Sequence, residues 1–232
     1  MVTIAVIDDG ISDIYFKEKC VLRIAADADG KISADRRESR LPTHGTLCAG
    51  IIRHYMPDCR LISIQVLNDQ TRSGTLTQLL AALDWCAKHK IRLCNLSLGT
   101  SSLWDYFPMK KTVRRMVGRG QILVAAMGND GQMLMPADLR GVISVKEDLT
   151  LCGNMIRHST GRFREPDFYA SSSHTLELND GNTYTLKDGN SYAAAVVTAA
   201  AARIMAEYPQ AGRDRVIALM KRDCSQRHFF IN

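Results

Sequence analysis

Nothing in this sequence is long and apolar enough to cross a membrane as a helix. No apolar run reaches the roughly 18 residues a span needs; the nearest, the Ala-rich stretch 193–206, is too short. The N-terminus has no basic start followed by an apolar core and a small-residue cleavage site, so no secretory signal is read there. No two cysteines stand at zinc-finger or redox spacing. No internal repeat, low-complexity segment or linker interrupts the chain. Charge is not concentrated either. The net charge is +6, yet the basic residues are scattered. Their densest group, Lys110, Lys111, Arg114, Arg115 and Arg119, reads as a solvated helix face. Nucleic acid and membranes are therefore not expected partners. The seven cysteines are an odd number, and most lie in apolar stretches such as Leu93-Cys94-Asn95. Buried, reduced thiols of a cytoplasmic protein are the simplest reading.

What is present is globular. At 232 residues, 46% hydrophobic and 23% charged, the chain suits one domain over 1–232. Residues 2–7 form a continuous β-branched run ended by Asp8-Asp9-Gly10. Such a strand is buried on both faces, hence parallel. Similar runs occur at 60–67, 91–98, 121–126 and 142–146. Between them, helical spacing covers 44–53, 74–89 and 106–119. Strands alternating with helices predict an α/β fold with a doubly wound, mainly parallel sheet flanked by helices. A small β-hairpin is expected at 175–178 and 184–186, turning at Asn179-Asp180-Gly181-Asn182. A last long helix, 191–208, ends at Pro209.

Four residues sit where α/β enzymes place chemistry, at strand ends and helix starts. Each has a plain structural reading. Asp8 ends the first strand and could be a turn former. His44 opens a helix before Gly45-Thr46 and could be structural. Asn129, in Met127-Gly128-Asn129-Asp130-Gly131, could build a turn. Ser191, in Gly189-Asn190-Ser191-Tyr192-Ala193, could be an N-cap. Taken together they read differently, because Asp…His…Ser is one of the known chain orders of the hydrolytic triad. Val6-Ile7-Asp8-Asp9-Gly10, His44-Gly45-Thr46-Leu47-Cys48-Ala49-Gly50 and Gly189-Asn190-Ser191-Tyr192-Ala193 resemble the Asp, His and Ser motifs of the subtilases. Asn95-Leu96-Ser97-Leu98-Gly99 resembles their substrate-cleft segment and Gly128-Asn129 their oxyanion site. Ser73-Gly74 before the helix containing Trp85 also matches.

The resemblance implies a subtilisin-like serine endopeptidase with Asp8, His44 and Ser191 as catalytic residues. Its oxyanion hole would be the Asn129 amide and the Ser191 backbone N–H. Ser73, Gly74, Ser97, Leu98 and Gly99 would line the substrate cleft, and Ala126, Met127 and Leu134 the pocket beside the scissile bond. Met127 and Leu134 would make that pocket apolar, whereas Asp130 at its rim would favour a basic side chain. Gly74 and Gly99 would leave room for substrate backbone. Departures from the family pattern include Asp9 for Ser or Thr, Asn190 for Thr and Tyr192 for Met. Asn190 is expected to donate near the oxyanion, and Asp9 to raise the proton affinity of the Asp8–Asp9 pair. No cofactor or metal is expected, because the connection after the His helix lacks the family's calcium loop. The resemblance also suggests a minimal form without signal peptide or pro-segment, folding directly to an active state and processing one dedicated peptide precursor. Its partner is a peptide or protein substrate; its oligomeric state stays open. Two rivals remain: a catalytically weak or inactive peptide-binding protein of the same fold, and an esterase or amidase. A cysteine hydrolase is set aside because Cys48 and Cys152 lack a matching His motif.

Overall fold

The computed structural model describes residues 1–128, 132–159 and 165–225. In chain order the elements are β1 (Thr3–Asp8), β2 (Leu22–Ala26), β3 (Ile32–Ala34), α1 (His44–Tyr55) and β4 (Arg60–Gln65). Next come α2 (Leu76–Lys88), β5 (Leu93–Leu96), α3 (Tyr106–Gly118), β6 (Ile122–Ala126) and β7 (Ile143–Glu147). The chain continues with β8 (Ile156–His158), β9 (Phe168–Ala170), β10 (His174–Glu177), β11 (Thr183–Leu186), α4 (Asn190–Glu207) and α5 (Arg213–Ser225).

Nine strands form one sheet in the order β3-β2-β4-β1-β5-β6-β7-β9-β8. The pairings are parallel except at the two edges, where β3 on β2 and β8 on β9 are antiparallel. Alternation along β1 explains the layering. Ile4 and Val6 join one apolar core with α1 and α4; Ala5 and Ile7 join another with α2 and α3. Both faces of the central strands are thus covered, as their unbroken apolar runs require. Asp8, Ser97 and Met127 follow or end β1, β5 and β6, so parallel pairing brings them to one edge of the sheet.

Helix α4 is the most deeply seated helix. Its residues from Ala193 to Ala202 are all buried, and their small side chains let it lie close against the sheet. No helix among the described residues is long and apolar enough to cross a membrane. The hairpin β10–β11 pairs His174 with Leu186 and turns at Asn179-Asp180, with the Gly181 N–H donating to the Leu178 carbonyl. Its Leu176 lies over Gly50 of α1, where an added Cβ would approach Leu176 Cδ1 to 2.9 Å.

Gly74 and Gly99 are crowded by this protein's own backbone. A Cβ on Gly74 would lie 2.4 Å from the Val66 carbonyl oxygen, and one on Gly99 2.4 Å from that of Met135. Substituting Gly99 with Ala should therefore destabilise by about 1–3 kcal/mol, as overpacking does. Gly118, which ends α3, has open space where its Cβ would stand. There Gly118→Ala should stabilise by about 0.4–1 kcal/mol. Urea midpoints of the two variants check the opposite signs.

Candidate active site

The site begins where α1 docks on the end of β1. Thr43 caps α1 by accepting the Thr46 N–H, and its hydroxyl donates to the Gly10 carbonyl at 2.7 Å. Gly45 must be glycine here, since a Cβ would come within 2.6 Å of that same carbonyl oxygen. The buried Asp9 carboxylate accepts the backbone N–H of His44 at 3.1 Å and of Gly45 at 2.7 Å. An anion at a helix N-terminus is favourable. Burial and then the neighbouring Asp8 nevertheless raise the Asp9 pKa, against which the two amide bonds work. The charge repulsion expected from the Asp8-Asp9 pair is thus present, but burial is its larger companion.

His44 Nδ1 lies 3.0 and 2.9 Å from the two carboxylate oxygens of Asp8. Asp8 is wholly buried and also accepts its neighbour's N–H at 2.8 Å. A proton on Nδ1 donating to Asp8 leaves Nε2 as the free acceptor. Burial disfavours the imidazolium, but the Cys48 sulfur and the Asp8 carboxylate outweigh it, and the His44 pKa is raised.

Ser191 occupies the second position of α4 and is half-buried. It does not cap the helix: the N-cap is Gly189, at φ 145°, without a side-chain bond. As a first-turn amide, the Ser191 N–H has no partner inside the helix. Cys48 connects the three parts of the site. One turn along α1 from His44, its sulfur is 3.9 Å from Nε2, 3.6 Å from Ser97 Oγ and 4.0 Å from the Ser191 carbonyl oxygen. The Tyr192 ring, tilted by 34°, lies 5.6 Å from the imidazole. Cys48 therefore does have a histidine partner, contrary to expectation. It is nonetheless fully buried, which denies it access to a substrate.

A buried polar chain supports this arrangement from behind. Thr198 of α4 donates to Asn95 Oδ1 at 2.8 Å, and Asn95 Nδ2 donates to Ser97 Oγ at 3.1 Å. Thr198 and Cys48 were not foreseen as supports. The clue in the sequence was spacing: Cys48 stands four residues after His44, and Thr198 seven after Ser191, each near one helix face.

Asn190 also has a structural role. Its side chain is buried: Oδ1 accepts the Glu147 N–H at 2.9 Å and Nδ2 donates one of its two hydrogens to the Met127 carbonyl at 2.9 Å. It ties the start of α4 to β7 and to the residue before Gly128, while Glu147 accepts the Gly189 N–H at 2.7 Å. Asn129 and Asp130 lie outside the described residues.

Ser73, Gly74, Ser97, Leu98 and Gly99 line one open cavity of about 690 Å³. Met127 faces a separate cavity of about 950 Å³. Leu134 is half-buried against Gly99. Ala126 lies in the core with α4 and reaches neither cavity. Among the described residues, one group of three or more His, Cys, Asp or Glu could hold an ion: Asp8, His44 and Cys48, with ligand atoms within 4.8 Å. That nitrogen, sulfur and carboxylate set is unlike the all-oxygen shell of calcium.

The sequence profile of the subtilase family matches residues 1–228. The chain belongs to the subtilase family. This places it among the subtilisin-like serine endopeptidases. Subtilisin DY of Bacillus licheniformis is 27% identical over 188 residues, 75% of this chain and 67% of that protein. Minor extracellular protease Epr of Bacillus subtilis (strain 168) is 35% identical over 114 residues, 44% of this chain but 17% of Epr. Among solved structures, a lanthipeptide protease superposes with a TM-score of 0.74 at 18% identity, covering 94% of this chain and 78% of that one. At that identity the likeness speaks for the fold.

Two outcomes follow from this geometry. Because the His44 pKa is raised, its contribution to stability is complete below the unfolded value near 6.5 and fades as pH rises through the folded one. The base form appears over the same rise, so kcat/KM should climb with a midpoint above about 6.5. Asp8→Asn should lower that midpoint and cut kcat by about 10⁴. Asn190→Ala strips partners from two buried backbone groups and should cost about 1–3 kcal/mol or more. It should lower kcat more than it raises KM, because the start of α4 loses its tie to β6 and β7. Chemical denaturation and steady-state kinetics check both effects.

Proposed function

We propose that residues 1–232 act as one peptidase domain that hydrolyses peptide bonds through an acyl-enzyme on Ser191. The observation that carries this reading is the buried Asp8–His44 pair facing the first turn of α4 across Cys48. His44 Nε2 takes the Ser191 proton as Oγ attacks the carbonyl carbon. The same proton then passes to the leaving amine as the C–N bond breaks. A water, deprotonated by His44, releases the acid product and restores Ser191. Asp8 holds the imidazole tautomer and stabilises its protonated form. The unpaired Ser191 N–H and the dipole of α4 meet the developing oxyanion, with the Asn129 amide as second donor.

The cleft between residues 72–74 and 96–99 takes an extended peptide, its backbone pairing along the cavity edges. Leu134 is pressed on Gly99 and the Tyr192 ring stands against the imidazole, so bulky side chains flank the cleft. That favours restricted processing over general degradation, the use that the name of the lanthipeptide protease also suggests. All seven cysteines are free, and four are buried, which supports a reducing, cytoplasmic setting. The connection from α1 to β4 is residues 56–59, too short to gather the six to eight oxygens that calcium takes. We therefore read the enzyme as free of metal and cofactor.

A fluorophosphonate probe should label wild type at Ser191 and leave Ser191→Ala and His44→Ala unlabelled. Ser191→Ala should lose about 10⁶ in kcat, the scale established for subtilisin itself. Turnover of peptides by Ser191→Ala within tenfold of wild type refutes the assignment. Failure to label wild type favours a binding protein, and cleavage of simple esters alone favours an esterase. Chelator should leave the melting temperature and activity unchanged; a loss restored by Ca²⁺ rejects the metal-free reading.

A further inference from the structure

Beyond the cleft, the chain rises from Gly99 into a short 3-10 helix, Leu103–Asp105, and then α3. Three large apolar side chains stand out there within five residues: Leu103 is 73% exposed, Trp104 92% and Phe107 77%. Single exposed apolar residues are ordinary, but a cluster containing a bare tryptophan marks a contact surface. From Phe107 the helical spacing i, i+3, i+4, i+7 continues the same side as Lys110, Lys111 and Arg114. The opposite side is buried through Met109, Thr112, Val113 and Met116. Lys110 lies 5.0 Å from the Tyr106 ring centroid and bonds its hydroxyl. Among the described residues no carboxylate pairs with Lys110, Lys111 or Arg114, whereas the flanking Arg115 pairs with Asp84.

This stripe is fixed to the cleft. Thr100 exchanges both backbone hydrogen bonds with Met135, at 2.8 and 2.9 Å. Its hydroxyl donates to Asp105 at 2.6 Å and accepts the Ser102 N–H at 3.2 Å. Thr100, Ser101 and Asp105 line the same 690 Å³ cavity as Ser97 to Gly99.

We propose that the stripe is an exosite that receives an acidic, amphipathic segment of the substrate, N-terminal to the scissile bond. The segment's apolar side chains rest on Leu103, Trp104 and Phe107, and its carboxylates meet Lys110, Lys111 and Arg114. The proposal rests on the peptidase reading of the cleft. With the acyl-side residue held beside Ser97–Gly99, chain leaving the cavity past Thr100 and Ser101 is the part that precedes the cut. Aromatic and cationic groups in one patch are the usual anchors of a peptide interface. Tethering raises the local concentration of the cleavable bond without touching the chemistry. An anionic lipid surface would match the same charges but leaves the junction with the cleft unused.

Two fluorogenic peptides with the same cleavable core test this. One carries an N-terminal helix-forming Glu/Leu extension, the other a Gly/Ser extension of equal length. The Glu/Leu extension should lower KM about tenfold or more at unchanged kcat, one strong anchor's worth. The gain should shrink as NaCl is raised. Trp104→Ala, and Lys110→Glu with Lys111→Glu, should each erase it while kinetics on the Gly/Ser substrate stay as in wild type. Equal KM for the two peptides, or a gain that survives both variants, overturns the exosite. Binding of the labelled Glu/Leu segment alone to Ser191→Ala, followed by fluorescence anisotropy, decides the exosite even if no peptide is hydrolysed, in which case the peptidase reading is what fails. Cosedimentation with phosphatidylserine vesicles, lost in Trp104→Ala and unaccompanied by segment binding, overturns it in favour of a lipid surface.

Discussion

The docking of the first turn of α1 on the end of β1 is the constraint from which the rest follows. Two backbone N–H groups, those of His44 and Gly45, end on the buried Asp9 carboxylate, and the Thr43 hydroxyl closes on Gly10. No side chain fits at Gly45. The imidazole is therefore delivered to Asp8 by backbone geometry rather than by its own rotamer search. A Ser or Thr at position 9 would offer one hydroxyl where a carboxylate offers two acceptor oxygens. The carboxylate grips the helix more fully but carries a buried charge that its surroundings resist.

The opposite half of the site is held by polar groups threaded through apolar layers. Thr198, Asn95 and Ser97 form a line from α4 through the end of β5 to the Cys48 sulfur. Asn190 and Glu147 tie the beginning of α4 to β6 and β7. Buried polar chains of this kind are strong when every member is satisfied and costly when one is lost. Ser191 thus sits on a helix pinned at its first and third turns, between an apolar face that positions it coarsely and hydrogen bonds that fix its rotation.

The parallel centre of the fold was legible because its strands are unbroken apolar runs, and helix spacing located α1 to α4 within a few residues. The edges were not. β2 reads Leu-Arg-Ile-Ala-Ala with half-exposed positions, and β3, β8 and β9 have three residues each. Pairing with a neighbour, not periodicity, makes those segments strands. At the site, Asp8, His44 and Ser191 were legible through motif and order, and the structure brings them to one edge of the sheet. The roles of Asn190, Gly74 and Gly99 were not. Each depends on a backbone carbonyl contributed from elsewhere in the chain, Met127, Val66 or Met135, and no local pattern encodes such a neighbour. Ala126, placed beside the scissile bond by resemblance, is turned to the core by alternation along β6.

The most buried helix, α4, follows every strand of the fold in the chain, and it carries Ser191 in its first turn. Until residues 190–207 emerge, the sheet face formed by Ile4, Val6, Val124 and Val145 has α1 over β1 but lacks the helix that packs on β5, β6 and β7. Synthesis, at roughly 5–20 residues per second, thus imposes an interval in which the nascent chain carries an open apolar face. Docking of α4 covers that face and sets Ser191 across Cys48 from His44 in one event, before α5 adds Val216, Leu219 and Met220 to the same core. Transiently exposed apolar surface of that kind invites association, so the interval before α4 docks is the one in which the unfinished chain is most prone to aggregate.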